Sequence, residues 1–295
     1  MNKNFFKRPF YYTAGKISRI MRDFQKYQDN KIIKAANESW DNLFNEKRFF
    51  EFNLENDVKI NLYKDSVLSR LIYEGFEREE TDYLTKILKK GDFFVDIGTN
   101  IGLFSLIASK IVGDEGKVLC FEPAPLTFSR LRENISLNDL KNVDIRNIGL
   151  SDAKGELTFY VSNNGHDAWN SFAPSQDNKL ESSIQVPVST LDIELKGIDR
   201  NKIKLVKIDV EGWEKFVLYG GKDFLINYSP FVMVEFTEEN TFNAGYSVHE
   251  IYDIMQDFGY VWYRLSNGEL VKEVKKLYYP YDNLIAIKND FKETI

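Results

Sequence analysis

The chain has 295 residues, 43% hydrophobic and 28% charged, the make-up of an ordinary globular protein with room for one large domain or a domain with an appendage. A formal net charge of −6 argues against a general nucleic-acid binder, and no run of about 18 apolar residues is present to cross a membrane as a helix. The single cysteine, Cys120, sits in an apolar stretch and reads as a small buried hydrophobe, so an internal disulfide and a Cys-based metal site are excluded.

Residues Met1 to Phe10 carry no apolar segment of signal-peptide type, so the expected location is the cytoplasm. Before residue 35, lysines and arginines from Lys3 to Lys34 face only Asp23 and Asp29, with Phe5, Phe6, Phe10, Tyr11 and Tyr12 among the early ones. Such a segment reads first as a solvated helix packed on the domain by a few apolar residues. It also leaves room for peripheral contact with anionic lipid at the inner membrane face, or for holding an anionic substrate. Residues 14–46 are expected to be helical, with Ile17, Ile20, Met21, Phe24 and Tyr27 near helical spacing. Phe49 to Leu54 and Val58 to Tyr63 predict a hairpin turned at Asn56-Asp57. A helical pattern resumes from Ser66 to about Lys90, interrupted at Gly75. The expected division is an appendage over 1–65 and a catalytic domain over 66–295.

The stretch from Gly91 to Glu122 organises that domain. Phe93 to Val95 is an apolar run ending in Asp96, followed by the turn Gly98-Thr99-Asn100-Ile101-Gly102. Phe104, Ile107, Ala108 and Ile111 then recur at helical spacing, Gly113 and Gly116 end the helix, and Val118 to Phe121 form a second apolar run closed by Glu122. This is one βαβ unit with a crevice at its carboxyl edge. Gly98 and Gly102 allow a sharp turn and close approach of a ligand, and Asn100 is among the residues that tolerate positive φ. Amides at the start of the helix suit a carboxylate. Glu122 is placed to accept hydrogen bonds from both hydroxyls of a ribose. The turn is G-x-x-x-G rather than the dinucleotide pattern G-x-G-x-x-G. Asp96 suits the positive methionine ammonium of S-adenosylmethionine, so the expected ligand is a nucleoside joined to an amino acid.

Further along, Phe128, Leu131 and Ile135 mark a helix to about Asn138, and strands are predicted near Val143–Ile145, Ile148–Leu150, Glu156–Val161 and Ile184–Val188. Between the last two lies a long polar stretch, Ser162 to Ser183, with His166, Asp167, Trp169, Asn170 and Ser171. A loop of this length in a compact domain is often functional, and it is expected to form a wall of the substrate site. Ile203 to Ile208 is a buried strand ending at Asp209, followed by Val210-Glu211-Gly212 and a helix with Trp213, Phe216, Val217 and Gly220 on one face. Phe231 to Val234 is another apolar strand, ending at Glu235. Ser247 to Phe258 is a helix, with Ser247 as N-cap and Glu250 completing a capping box. Gly259-Tyr260 and Leu284–Ile287 mark the final strands. Alternating helices and buried strands give an α/β class with a mainly parallel sheet.

Asp96, Glu122, Asp209 and Glu235 each end a proposed strand, at the edge where open α/β sheets bind ligands. A carboxylate in such a place is costly without a partner. Asp209, Glu211 and Glu235 are the candidates for a catalytic base or for clamps on an acceptor hydroxyl. Oxygen ligands from strand ends would suit a divalent metal, although nothing in the spacing demands one. His249, two residues into its helix, reads as a surface residue.

Taken in order, Val95-Asp96-Ile97-Gly98-Thr99-Asn100-Ile101-Gly102, Phe121-Glu122-Pro123, Leu150-Ser151-Asp152, Ser189-Thr190-Leu191-Asp192 and Lys207-Ile208-Asp209-Val210-Glu211-Gly212 resemble the successive motifs of FkbM family methyltransferases. Phe76-Glu77 resembles that family's lead-in, and the likeness runs from about Tyr63 to Ile287. Thr99 stands where the family more often has Ala, and Glu235-Phe236-Thr237 lacks the His that many members carry after the acid pair. The resemblance implies a class I, Rossmann-like methyltransferase fold and S-adenosylmethionine-dependent O-methylation of a sugar or related small-molecule acceptor. It implies that Asp96, Gly98, Asn100, Gly102 and Glu122 hold the cofactor, that Leu150 and Asp152 border the adenine, and that Glu77 approaches the methionine end. Families that methylate exocyclic amines of adenine or side-chain amides carry an Asn/Asp-Pro-Pro-aromatic turn, whereas here the turn is Asp209-Val210-Glu211-Gly212, which favours a hydroxyl. The competing classes are a nicotinamide-dependent oxidoreductase, disfavoured by the absent G-x-G-x-x-G, and a non-enzymatic protein docking on membrane or glycan through its basic N-terminus.

Overall fold

The computed structural model describes residues 37–55, 57–162, 167–174, 181–228 and 230–289. The basic segment before residue 35, His166 and Asn56 of the hairpin turn lie outside the described residues. Two compact units divide the chain, 1–50 and 51–295. In the first, residues 37–42 are helical, and Trp40 and Phe44 pack edge to face with ring centroids 4.9 Å apart.

In chain order the elements are β1 (Phe49–Asn53), β2 (Lys59–Tyr63), α1 (Val67–Tyr73), α2 (Arg78–Ile87), β3 (Phe93–Ile97), α3 (Leu103–Val112), β4 (Lys117–Phe121) and α4 (Pro125–Leu137). There follow β5 (Val143–Arg146), β6 (Gly149–Leu150), β7 (Gly155–Ser162), β8 (Glu181–Ser189), α5 (Leu191–Glu194), β9 (Ile203–Ile208), α6 (Glu214–Gly220) and α7 (Lys222–Tyr228). The chain closes with β10 (Phe231–Phe236), α8 (Glu238–Asn243), α9 (His249–Asp257), β11 (Tyr260–Ser266), β12 (Glu269–Lys272) and β13 (Asp282–Lys288).

The eight-stranded sheet has the order β12-β11-β13-β10-β9-β3-β4-β5. β5, β4, β3, β9 and β10 are parallel, and β13 enters antiparallel between β10 and β11. Of the parallel strands, β3, β4 and β10 read as near-continuous apolar runs, the pattern of strands buried on both faces. Val95, Ile97, Leu119, Val206, Ile208, Val232 and Val234 are all buried in one core. At the antiparallel end Phe236 meets Trp262 edge to face at 4.9 Å, and each ring buried there contributes about 1.5–3 kcal/mol. This is the class I methyltransferase arrangement, an α/β fold with a mainly parallel sheet. The chain runs outward from β3 through β4 to β5, then returns to β3's other side as β9, so the strand order reverses at β3.

Register decides what reaches the carboxyl edge. Ile97 pairs with Phe121 and Ile208, and Ile208 with Val234. The residues that follow these partners are Gly98, Glu122, Asp209 and Glu235, so three acids emerge level beside the glycine turn.

A separate three-stranded sheet, β6-β8-β7, carries the long loop between β7 and β8. β1 and β2 form a two-stranded sheet of their own, as the hairpin pattern predicts. The boundary expected at residue 66 falls inside the second unit. There, side chains from the end of α4 satisfy the edge of β2: Asn134 Oδ1 accepts the Asn61 amide (2.8 Å) and Asn138 Oδ1 the Lys59 amide (2.8 Å). The cap of α9 is Val248 rather than Ser247, although Glu250 Oε1 still accepts the Ser247 amide (3.3 Å). Among the described residues no helix is long and apolar enough to cross a membrane.

Candidate active site

The turn after β3 has Gly98 at φ +82°, Asn100 at +51° and Gly102 at +102°. A Cβ on Gly98 would stand 1.7 Å from the Asp209 carbonyl oxygen, so only glycine lets the turn pass the end of β9. Gly102 faces away from the crevice, where a Cβ would meet Leu131 Cδ1 at 2.8 Å. The amides of Gly98 and Thr99 donate to the Phe121 carbonyl (3.0 and 3.2 Å), which fastens the turn to β4.

Glu122 completes this corner. Its Oε2 accepts the Asn100 amide (2.9 Å) and its Oε1 the Ala124 amide (2.8 Å). An ionised carboxylate has about four acceptor positions, so two remain for a ligand. Burial pushes the Glu122 carboxyl up to about 7 even against these two backbone bonds. Asp96, 1% exposed, accepts the Ser105 hydroxyl at Oδ2 (2.5 Å), while its buried Oδ1 has no partner among the described residues. Burial raises its carboxyl to about 6. Asn100 Nδ2 donates to the Asp167 carbonyl (3.1 Å), and its buried Oδ1 is likewise unpartnered.

These groups border one cavity of about 740 Å³, walled by the ends of β3, β4, β9 and β10 and by the segments 167–173 and 280–281. Glu77, Asp96, Gly98, Asn100, Glu122 and Leu150 all line it. So do Asp209, Glu211 and Glu235. Asp152, expected beside the adenine, is exposed and does not line the cavity; its Oδ1 accepts the Ser151 hydroxyl (3.1 Å). Glu77 begins α2 at φ +54° and accepts the Asn283 side-chain amide (3.1 Å), with burial raising its carboxyl to about 7. In the loop wall, Asp167, Trp169, Asn170 and Ser171 line the cavity. His249 is not part of its wall, and its Nε2 lies 2.8 Å from the Lys276 carbonyl oxygen.

One oxygen from each of Asp209, Glu211 and Glu235 lies within 4.8 Å of the others. Glu211 is brought in by a left-handed turn at φ +53° and is held at Oε2 by Asn240 Nδ2 (2.6 Å). The Ser171 hydroxyl donates to the Glu211 carbonyl (2.6 Å), tying the loop wall to the acidic corner. Burial, reinforced by the Asp209 charge, pushes the Glu211 carboxyl well up, and burial with the Glu211 and Asp209 charges does the same to Glu235.

Sequence reasoning overlooked Lys207. It is 3% exposed, pairs directly with Asp96 across β3 and β9, and places Nζ 2.6 Å from Asp209 Oδ2 and 4.7 Å from the Phe104 ring centroid. Burial alone would lower its pKa, but the Asp209, Glu77 and Asp96 carboxylates together hold it above the ordinary lysine value. The available signal was a lysine two residues before the strand-end acid, and so on the same face, in a strand where Lys204 alone is not buried.

Comparison with known proteins agrees with this architecture. The model of the methyltransferase FkbM domain matches residues 96–262, more than half of the chain. The chain belongs to the methyltransferase FkbM domain family. It is 34% identical over 149 residues to "Methyltransferase 1" of Beauveria bassiana, a match covering 44% of this chain and 59% of that protein. It is 31% identical over 163 residues to the hexuronic acid methyltransferase AglP of Haloferax volcanii, covering 54% and 62%. It is 26% identical over 188 residues to the 2-O-methyltransferase NoeI of Sinorhizobium fredii, covering 59% and 76%. The chain thus spans about six-tenths of the length of the first two relatives.

Not every FkbM-like motif enters the cavity. Thr190 caps α5 by accepting the Ile193 amide (3.2 Å), and the Asp192 carboxylate accepts the amides of Asp223 (3.0 Å) and Phe224 (2.9 Å) at the start of α7. Ser151 accepts Trp213 Nε1 (3.1 Å). These FkbM-domain residues brace the edge of the site rather than line it.

Proposed function

We propose that this protein is an S-adenosylmethionine-dependent O-methyltransferase whose acceptor is a hydroxyl of a sugar or related small molecule. The observation that carries this reading is the pattern of unmet acceptors around one cavity. Asp96 Oδ1 and Asn100 Oδ1 are buried without donors among the described residues, and Glu122 keeps two acceptor positions free. That set fits a ligand with donors at two places, an ammonium near Asp96 and ribose hydroxyls at Glu122. Leu150, buried in β6, would border the adenine, and Glu77 would stand toward the methionine end.

When bound, S-adenosylmethionine supplies a sulfonium methyl, to which the acceptor oxygen bonds through a lone pair as the carbon–sulfur pair returns to sulfur. The chain's part is to place that oxygen and take its proton. Asp209, Glu211 and Glu235 converge where the acceptor would lie, and burial among like charges raises the carboxyls of Glu211 and Glu235, which makes each a stronger base than a free carboxylate. Such a base contributes about 10²–10⁴-fold, and in-line positioning on the order of 7–11 kcal/mol. Lys207 holds Asp209, and Asn240 holds Glu211, in fixed orientations. A hydroxyl of a sugar is favoured by two relatives, one titled a 2-O-methyltransferase and one a hexuronic acid methyltransferase.

The test is a thermal shift with S-adenosylhomocysteine, followed by mass spectrometry of hexuronic acids and oligosaccharides incubated with labelled cofactor. A rise in melting temperature and label on an acceptor oxygen are expected. No shift of the wild-type protein at millimolar ligand overturns the cofactor reading, and label found only on nitrogen overturns the hydroxyl.

A further inference from the structure

The turn between β9 and α6 carries Asp209 and Glu211, and Glu214 shapes it from behind. The backbone passes through Glu211 at φ +53° and Gly212 at φ +95°, two successive left-handed residues. A glutamate does not favour that conformation by itself, so the contacts of the turn's backbone must hold it there. The amides of Val210 and Gly212 both donate to Glu214 Oε1, each at 3.1 Å. Glu214 Oε2 accepts the buried Tyr246 hydroxyl (3.3 Å), whose oxygen in turn accepts the Lys215 amide (3.4 Å). Glu214 is 1% exposed and lies outside the cavity wall. Gly212 is buried, and a buried amide without an acceptor is costly, so the turn depends on this carboxylate.

We propose that Glu214 is a positioning residue for methyl transfer: it gathers the two turn amides so that the Glu211 side chain faces the acceptor, itself touching neither acceptor nor cofactor. Its reach is local. Asp209 is anchored separately, its amide donating to the Ile97 carbonyl (3.0 Å). Glu211 is the residue whose direction the turn sets, and in that direction its Oε2 meets Asn240 Nδ2 (2.6 Å). Asn240 closes the turn from its other side, where a Cβ on Gly212 would stand 2.4 Å from the Asn240 carbonyl oxygen. The corner read as the cofactor's is built instead from the β3 turn and Glu122, whose bonds run to the Asn100 and Ala124 amides.

The holding of the turn stands on these hydrogen bonds alone; its catalytic meaning rests on the methyl-transfer reading. Holding needs an acceptor oxygen at Oε1 rather than a charge. Burial pushes the Glu214 carboxyl up to about 7, and with a proton on Oε2 it still accepts both amides at Oε1. A glutamine offers the same oxygen at the same reach, with an amide hydrogen for the Tyr246 oxygen. An aspartate keeps the charge but withdraws both oxygens by one methylene.

The experiment uses the full chain saturated with S-adenosylhomocysteine, with backbone hydrogen exchange over 209–213 read by mass spectrometry. Turnover is read separately, with labelled S-adenosylmethionine, on the oligosaccharide that wild-type protein labels. Glu214→Ala should speed exchange over 209–213 about tenfold. It should lower kcat about thirtyfold, with acceptor KM and S-adenosylhomocysteine affinity within about threefold of wild type. Glu214→Gln should recover slow exchange and most of kcat. Glu214→Asp, which also serves if Glu214→Ala does not fold, should recover neither. Wild-type exchange and kcat in Glu214→Ala and Glu214→Asp overturn the proposal, as does a Glu214→Gln no better than Glu214→Ala. A fall in kcat matched by an equal fall in S-adenosylhomocysteine affinity overturns it too. If wild-type protein labels no oligosaccharide, the acceptor reading fails by itself, and exchange alone decides whether Glu214 holds the turn.

Discussion

The Lys207 ammonium lies 2.6 Å from Asp209 Oδ2, inside a sheet where both residues point to the same side of β9. It is a buried charge that makes a cluster of buried acids tolerable. Removing one partner of such a pair leaves the other uncompensated, at a cost of about 3–5 kcal/mol when both are buried. Asp209 keeps 23% of its side-chain surface, so the lower end applies. Lys207→Met should therefore destabilise the protein by about 3 kcal/mol in urea unfolding near pH 8. The loss should shrink near pH 5, where the neighbouring acids can take protons. A Lys207→Met protein as stable as wild type at pH 8 would mean that the amine neutralises nothing.

Glu122 joins the glycine turn to the end of β4 through the Asn100 and Ala124 amides. If its remaining acceptor positions hold ribose hydroxyls, Glu122→Gln loses charge-assisted hydrogen bonds worth about 1.5–3 kcal/mol. Affinity for S-adenosylhomocysteine should fall about tenfold to a hundredfold by isothermal titration calorimetry, with folding retained. Equal affinity in the variant would remove the ribose assignment.

The pH dependence follows from the same burial. Asp96 is raised to about 6, and Glu77, Glu122 and Glu214 to about 7, each chiefly by burial. A carboxyl with a folded pKa above its unfolded value binds its proton more tightly when folded. Its contribution is fully present below about pH 4 and is lost as pH rises through 6 and 7. The ligand-free protein should thus lose stability between about pH 5 and pH 8, measured as a falling urea midpoint. Ribose hydroxyls donated to Glu122 would favour its ionised form, so S-adenosylhomocysteine binding near pH 6.5 should release protons, seen as a buffer-dependent heat. Stability that climbs steadily to pH 8 would contradict the burial argument.

Gly98 offers a steric test. An added Cβ would collide with the Asp209 carbonyl oxygen at 1.7 Å, in a backbone conformation of φ +82° that disfavours any side chain. Gly98→Ala should cost on the order of 1–3 kcal/mol and abolish detectable S-adenosylhomocysteine binding. Gly155→Ala is the control, because nothing lies within 4 Å of its Cβ and its φ is not positive.

Much of this architecture is legible in the chain. Apolar runs closed by acids mark β3, β4, β9 and β10, since a parallel strand is buried until its carboxyl end. Asn100 at φ +51° is a position where asparagine's tolerance of a left-handed backbone could be anticipated. Other features depend on three-dimensional partners. Lys207 is buried among Leu205, Val206 and Ile208 because its compensating acids come from Glu77, Asp96 and Asp209, two of them far away in sequence. Glu211 joins the acidic corner only because the loop after β9 turns left-handed. β12 carries mostly exposed residues and is defined by pairing with β11, so no burial pattern announces it. The β2 edge looks unpaired until Asn134 and Asn138 arrive from the end of α4.

Trp169 offers a test that tells acceptor binding from cofactor binding. It sits on the one-turn 3-10 helix Asp167–Trp169, lines the cavity, and is 59% exposed. The segment is held at the β3 turn by Asn100 Nδ2 on the Asp167 carbonyl (3.1 Å) and at α4 by Arg130 Nη1 3.5 Å from Asp167 Oδ2. It is held from the acid side by the Ser171 hydroxyl on the Glu211 carbonyl. An indole anchored in this way presents a large rigid face to whatever enters beside the carboxylates, and such aromatic faces dominate contact energy in binding sites. Trp169→Ala should raise the acceptor KM about tenfold or more while leaving S-adenosylhomocysteine affinity and the melting temperature near wild type, because Asp167 and Ser171 keep the wall in place. A variant that loses cofactor affinity instead would put the indole on the nucleoside, and the acceptor would then have to approach from the Tyr281 side of the cavity.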